Sequence, residues 1–250
     1  MIRILRPVFA WSSLSGSLHR EAFIAAVSLH HRHRMALKEV ATLRSHKGSV
    51  NAVTFNHDGN YCLTAGDDRR VLLWNPHREQ AEMAPIKEYT GHSQRILDVA
   101  VAQGNASFAS CGGDRTVFVW DVSSGLISRR LCAHEQRVNA VAYNDDYSIL
   151  LSASYDKMVC CWDMRSRNTA PVQTLTDSAD SVSAVASSSH YMHASSIDGK
   201  VRTYDLRAGT LTADTIGQPV THVALSHDQN CLLAGTLDSR LRLLDKVRPQ

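Results

Sequence analysis

From residue 50 onward the chain alternates short apolar runs with short polar clusters rich in Gly, Asp, Asn and Ser. Val50–Phe55 reads as a strand, Asn56–Asn60 as a turn, and Tyr61–Ala65 as the returning strand, after which Gly66–Arg70 turns the chain into Val71–Trp74. The third run is apolar at every position, and so are Val117–Trp120 and Met158–Trp162. A strand that wants burial on both faces belongs to a sheet sandwiched between two others.

The pattern repeats. An aspartate stands six residues ahead of a bulky apolar or aromatic residue five times: Asp68 and Trp74, Asp114 and Trp120, Asp156 and Trp162, Asp198 and Tyr204, Asp238 and Leu244. Successive copies of the second position lie 46, 42, 42 and 40 residues apart. That period, with four short strands per unit, predicts an all-β propeller over residues 38–246, with repeats near 46–75, 92–121, 134–163, 182–205 and 220–245. Residues 1–34 read as a disordered extension and 247–250 as a tail.

Within the first three copies four positions recur at fixed offsets: His46, Thr64, Asp68 and Trp74; His92, Ser110, Asp114 and Trp120; His134, Ser152, Asp156 and Trp162. The residue entering the first strand and the residue leaving the second share one end of an antiparallel pair, so each histidine is placed to meet its aspartate. The hydroxyl and indole N–H join them in a chain of donors and acceptors. A His, Ser and Asp brought together also suit nucleophilic catalysis. Three copies, one with threonine and all with an attached tryptophan, favour a structural latch, so no residue is assigned as catalytic. The fourth and fifth copies keep the aspartate but carry Ala194 and Ala234 at the hydroxyl position, Tyr204 and Leu244 at the tryptophan position, and Thr176 at the fourth histidine position. Apolar packing and turn hydrogen bonds alone are expected to hold them, and they should open first in hydrogen exchange.

Charge changes the picture at one end of the chain. The net charge of +3 comes from residues 1–34, where Arg3, Arg6, Arg20, Arg32 and Arg34 face the single Glu21; the remainder carries 22 basic and 23 acidic residues. A body so nearly neutral argues against direct nucleic-acid binding. The leader has the composition of a mitochondrial transit peptide, but Met35 opens a second start just before the first repeat, which favours an upstream extension. His30, His31 and His33 lack the cysteine or carboxylate partners of a metal site, and no metal or cofactor is assigned. Six scattered cysteines without CxxC spacing suggest reduced thiols and a cytoplasmic or nuclear location, and no window approaches a membrane span.

Gly91-His92, Trp120-Asp121, Trp162-Asp163 and the intervening aspartates resemble the WD-repeat family of β-propellers. Strings such as Cys161–Arg167, Pro171–Leu175, Asp198–Arg202 and Leu237–Lys246 are similar, within that family, to the mitogen-activated protein kinase organizer scaffolds. The resemblance implies a non-catalytic platform that gathers signalling kinases or adaptors, and association with spliceosomal proteins. It also implies a seven-bladed parent, of which five copies are visible, so the chain reads as truncated at its C-terminus. Lys38–Leu43 has no sheet of its own and the fifth unit lacks an outer strand. Either these two deficits satisfy each other in a five-bladed ring, or the fold is an open arc with bare faces that favour self-association.

Two rims carry candidate partner sites. Arg69, Arg70, Arg95, Arg115, Arg137 and Lys157 fall at the histidine–aspartate end, where an acidic peptide would dock, unless they are merely solvated charges. At the opposite end Trp162-Asp163-Met164-Arg165 and Tyr204-Asp205-Leu206-Arg207 resemble the aromatic-Asp-x-Arg box of substrate receptors for cullin-RING ubiquitin ligases, which makes Arg165 and Arg207 the anchors of an alternative reading.

Overall fold

The structure, a computed structural model, describes residues 2–7, 37–78, 84–226 and 228–245. Ile2–Pro7 (β1) and Leu37–Leu43 (β2) form an antiparallel pair. The first blade follows as β3–β6 (Val50–Phe55, Cys62–Gly66, Arg70–Trp74, Lys87–Thr90) and the second as β7–β10 (Ile96–Val101, Ser107–Gly112, Val117–Asp121, Ile127–Leu131). The third is β11–β14 (Val138–Tyr143, Ile149–Ser154, Val159–Asp163, Gln173–Leu175) and the fourth β15–β18 (Val182–Ser187, Tyr191–Ser196, Lys200–Asp205, Thr210–Thr215). Among the described residues the fifth has three strands, β19–β21 (Val220–Leu225, Cys231–Thr236, Leu241–Asp245). Every blade is an antiparallel meander in chain order, as the repeat spacing predicts.

Burial follows the apolar runs. All five residues of β4 are buried, and so are five of the six in both β8 and β12; the second and third blades are covered on both faces by their neighbours. The outer strand of one blade also reaches the next: Tyr89 of β6 packs with Phe108 and Trp120, and Leu131 of β10 with Trp162. Leu43 of β2 stands in the corresponding place against Leu72 and Trp74 of the first blade. Thus β2 serves as an outer strand and its sheet partner is β1, which corrects the expectation that Lys38–Leu43 has none. Of the leader, residues 2–7 are this strand; residues 8–34, with His30, His31 and His33, lie outside the described residues, as does the 247–250 tail.

The arc stays open. Inner strand β3 packs on β7, β7 on β11, β11 on β15 and β15 on β19, but β19 has no comparable packing on β3 among the described residues. The outer edge of β21 likewise meets no strand among them. In β21 burial becomes one-sided, and Leu241 and Leu243 are each 68% exposed on the face turned away from the fourth blade. Each of the first four inner strands has a bulge at its second residue, and in the first, third and fourth blades that residue aims a polar side chain at the next blade. Asn51 Nδ2 donates to Ile96 O (2.8 Å), Asn139 Nδ2 to Val182 O (2.7 Å) and Ser183 Oγ to Val220 O (2.6 Å). Where the bulge residue is Leu97, Asp98 takes over and accepts the Val141 N–H at 3.0 Å. In the fifth blade Thr221 turns inward instead, donating to Gly235 O of its own sheet.

Candidate functional site

The antiparallel pairing of the first two strands in each blade brings the predicted polar sets together. In the first blade His46 Nδ1 lies 2.9 Å from Asp68 Oδ1, His46 Nε2 2.8 Å from Thr64 Oγ1, and Trp74 Nε1 2.8 Å from the same hydroxyl. The second repeats this with His92–Asp114 at 2.8 Å, His92–Ser110 at 2.7 Å and Trp120–Ser110 at 2.8 Å. The third has His134–Asp156 at 2.9 Å, His134–Ser152 at 2.8 Å and Trp162–Ser152 at 2.9 Å. A carboxylate only accepts, so Nδ1 carries the proton; in the neutral imidazole Nε2 then accepts from the hydroxyl, whose oxygen accepts the indole N–H. Each aspartate also accepts the backbone N–H that follows the histidine, from Lys47, Ser93 or Glu135, all at 3.0 Å. The aspartate therefore ties the entry loop of the blade to its second turn.

Burial pushes the Asp68, Asp114 and Asp156 carboxyls up, but the imidazole, the backbone N–H groups and, for Asp68, Arg70 outweigh it and hold all three below the usual carboxylate range. Burial lowers His134, yet Asp156 and the adjacent Cys160 carry it the other way, to about 9. These sets are closed to substrate: Thr64, Ser110 and Ser152 are 0% exposed, and each hydroxyl is already shared between an imidazole and an indole. A nucleophile needs an open approach and an oxyanion hole. The geometry is that of a latch.

The fourth and fifth blades correct the expectation of purely apolar packing. Arg202 sits across the strands from Ala194, and Arg242 across from Ala234, in the space that the small residue leaves. Arg202 Nη2 donates to Asp198 Oδ2 at 2.7 Å, with side-chain exposures of 6% and 9%, and Nη1 reaches Oδ1 at 3.3 Å. Arg242 makes the same bidentate pair with Asp238 at 2.7 and 3.1 Å. Ala179 N–H donates to Asp198 at 3.1 Å, so the loop tie survives without the histidine, and Tyr204 Oη donates to Asp177 at 3.0 Å. Sequence reading by offset from the tryptophan missed these arginines. The signal was the coupled change of hydroxyl to alanine with an arginine four residues after the aspartate.

Five of the six cations expected at the cationic rim are exposed. Arg69, Arg95, Arg115, Arg137 and Lys157 are exposed at the histidine–aspartate end. Arg70 leaves the set because it pairs with Asp68 (2.8 Å) and Glu88 (3.0 Å). Arg69, Arg115 and Lys157 hold the same left-handed turn position, with φ of 64°, 64° and 72°. Arg95 and Arg137 stand nearer the axis, their carbonyls accepting Gly113 N–H and Tyr155 N–H, and the Arg137 guanidinium lies 4.7 Å from the Tyr155 ring centroid. At the opposite end Arg165 and Arg207 are exposed, one after β13 and one after β17, with the preceding aspartate accepting each arginine's own N–H at 2.9 and 2.8 Å. Among the described residues no cluster of His, Cys, Asp and Glu could hold a metal ion, and no helix is long and apolar enough to cross a membrane.

Comparison with known proteins agrees with this geometry. The WD domain, G-beta repeat model matches residues 37–75, 83–121, 125–163 and 209–245; the stretch between the last two contains most of the fourth blade. The chain is 46% identical over 209 residues to WD repeat domain-containing protein 83 of Rattus norvegicus, across 84% of this chain and 65% of the relative. It is 31% identical over 234 residues to the WD repeat domain-containing protein 83 homolog of Dictyostelium discoideum, across 81% and 70%. Autophagy-related protein 16 of Arabidopsis thaliana is 27% identical across 81% of this chain and 40% of its own length. The chain thus spans just under two thirds of the rat relative.

Proposed function

Because the chain belongs to the WD domain, G-beta repeat family, we propose that it acts as a non-catalytic scaffold whose rims gather other proteins. The observation that carries this reading is the division between interior and rim. The groups that resemble a reactive triad are sealed inside the blades with every hydroxyl shared, whereas exposed arginines ring one end. The partners favoured by resemblance to the kinase-organizer scaffolds are components of a mitogen-activated protein kinase cascade, with spliceosomal proteins as a second set, in the cytoplasm or nucleus. An acidic segment suits the rim formed by Arg69, Arg95, Arg115 and Arg137, since arginine forms bidentate contacts with carboxylates and is a frequent interface anchor. The near-neutral body speaks for protein partners over nucleic acid.

The experiment is affinity capture with Arg95→Ala and Arg137→Ala combined. Capture of kinase-cascade partners should fall while the melting temperature stays within about 2 °C of the parent, as for surface substitutions. Unchanged capture would remove this rim from the proposal. A second reading, a substrate receptor for a cullin-RING ubiquitin ligase, is favoured by one observation: Arg165 and Arg207 occupy the same exposed position on consecutive blades. Charge reversal at both would abolish co-purification of a cullin adaptor if that reading holds.

A further inference from the structure

The inner strands β3, β7 and β11 end, at the side opposite the cationic rim, in a cleft of about 210 Å³. Its lining includes Phe55, Val101, Tyr143 and Tyr147, together with His57 and Asp145. Tyr143 and Tyr147 are tilted at 42° with ring centroids 5.9 Å apart, and the His57 ring stands edge-on to Tyr147 at 6.3 Å. The cleft is therefore an aromatic corner floored by small apolar residues, wide enough for one extended side chain.

Tyr147 holds its ring there against backbone preference. Four blades share one turn, in which the N–H of Gly59, Asn105, Tyr147 or Gln229 donates to the carbonyl three residues earlier. All four positions lie in the left-handed region, with φ of 69°, 61°, 57° and 59°. Glycine meets no penalty there and asparagine a small one, but a tyrosine is sterically disfavoured, and such outliers gather where a side chain has a task.

Among the described residues the fixed charges beside the cleft are carboxylates. Asp145 is exposed; its Oδ2 accepts from Gln229 Nε2 at 3.0 Å, and its Oδ1 takes no hydrogen bond among the described residues. Asp58 lies on the neighbouring turn, held by Asn105 Nδ2 at 2.9 Å. Among the described residues no lysine or arginine lines the cleft. An aromatic face beside an open carboxylate selects a cation. A guanidinium suits it better than an ammonium, since it is weakly hydrated, lies flat on a ring and can still donate sideways to a carboxylate.

We propose that this cleft receives an arginine side chain from a protein partner, stacked on Tyr147 and bonded to Asp145. The site is independent of the cationic rim, and substitutions at Arg95 and Arg137 leave it intact. The test follows tyrosine ring resonances by NMR during titration with N-acetyl-arginine amide, its uncharged isostere N-acetyl-citrulline amide, and N-acetyl-lysine amide. The arginine compound should shift Tyr143 and Tyr147 with a Kd of about 1 mM, and the other two should bind at least about tenfold more weakly. Asp145→Asn should weaken the arginine compound at least about fivefold. Tyr147→Gly should abolish the response with the melting temperature unchanged or raised, because glycine accepts the left-handed turn without strain. Equal binding of citrulline, or retention of affinity in Asp145→Asn, would overturn the site; lysine binding as tightly as arginine would overturn its assignment to a guanidinium. If Tyr147→Gly lowers stability, Asp145→Asn decides the matter alone.

Discussion

The first three blades and the last two solve one problem with different groups. Each carries an aspartate in the turn before its third strand, and in the first four that carboxylate ties the turn to the entry loop. In the first three the carboxylate is met by an imidazole that leans on a hydroxyl and an indole, four groups drawn from the entry loop, the second and third strands and the turn between them. In the fourth and fifth a single arginine from the third strand meets it across an alanine. The histidine latch couples the entry loop to a strand 18 residues on and a turn 22 residues on. The arginine latch spans only four residues, so it fixes a turn without binding the sheet as a whole. What is common to the repeat is the carboxylate; the chemistry that satisfies it is exchangeable.

The two classes should differ most when each loses its aspartate. Asp114→Ala strands His92 inside the second blade and frees the entry loop at Ser93, and should cost about 3 kcal/mol in urea unfolding. Asp238→Ala lies at the open end, where water replaces the lost partner, and should shift the midpoint far less. Equal losses would mean that the two latches are equivalent. Next in size is Arg202→Ala, which leaves Asp198 as an unpaired and nearly buried carboxylate; about 2 kcal/mol is expected. A double-mutant cycle with Asp198→Asn should recover most of that loss as coupling, and additive losses would show that Arg202 acts through packing alone.

Much of this contrast was written in the residues. The three histidine sets were legible because their offsets repeat and because strand antiparallelism dictates which ends meet. The two-faced burial was legible because Val117–Trp120 and Met158–Trp162 have no polar position to spare. The arginine latch was not read because alanine at position 194 looks like a loss until Arg202 is seen opposite it, and cross-strand register decides that pairing. The partner of β2 was unreadable for a similar reason: the strand that meets it lies across a long stretch of chain, and no periodicity links them. The role of Leu43 was recoverable, since it precedes His46 by the interval that separates Tyr89 from His92 and Leu131 from His134.

Hydrogen exchange should separate the two members of the arginine class. The fifth blade has three strands, an exposed leucine face and an arginine latch about a quarter exposed, whereas the fourth is covered on both faces and its latch is almost dry. Local opening follows the density of buried contacts. Amides in residues 220–245 should therefore exchange first, those in 182–205 next, and those of β4, β8 and β12 last. Exchange of the fourth blade together with the second would show that the arginine latch holds its blade as firmly as the histidine latch does.

The smallest effect is expected from the protons of the histidine latch. The Asp156 carboxyl is held below its ordinary range, so its contribution is present above about pH 4 and is lost as the pH falls through the folded value. His134 is raised to about 9, so its contribution is complete below its ordinary value of 6.5 and is lost as the pH rises through about 9. These are two views of one contact and are not summed. Together they give the third blade a plateau with an acid flank and an alkaline flank. The arginine latches have only the acid flank, because a guanidinium keeps its proton throughout this range. Asp156→Asn should remove both flanks from the profile of melting temperature against pH, and His134→Gln should remove the alkaline flank chiefly, by roughly 2–4 °C between pH 7 and 9.5. Asp198→Asn should leave the alkaline side of the profile unchanged. An alkaline loss that persists in His134→Gln would place its origin outside the latch and erase the proposed difference between the two classes of blade.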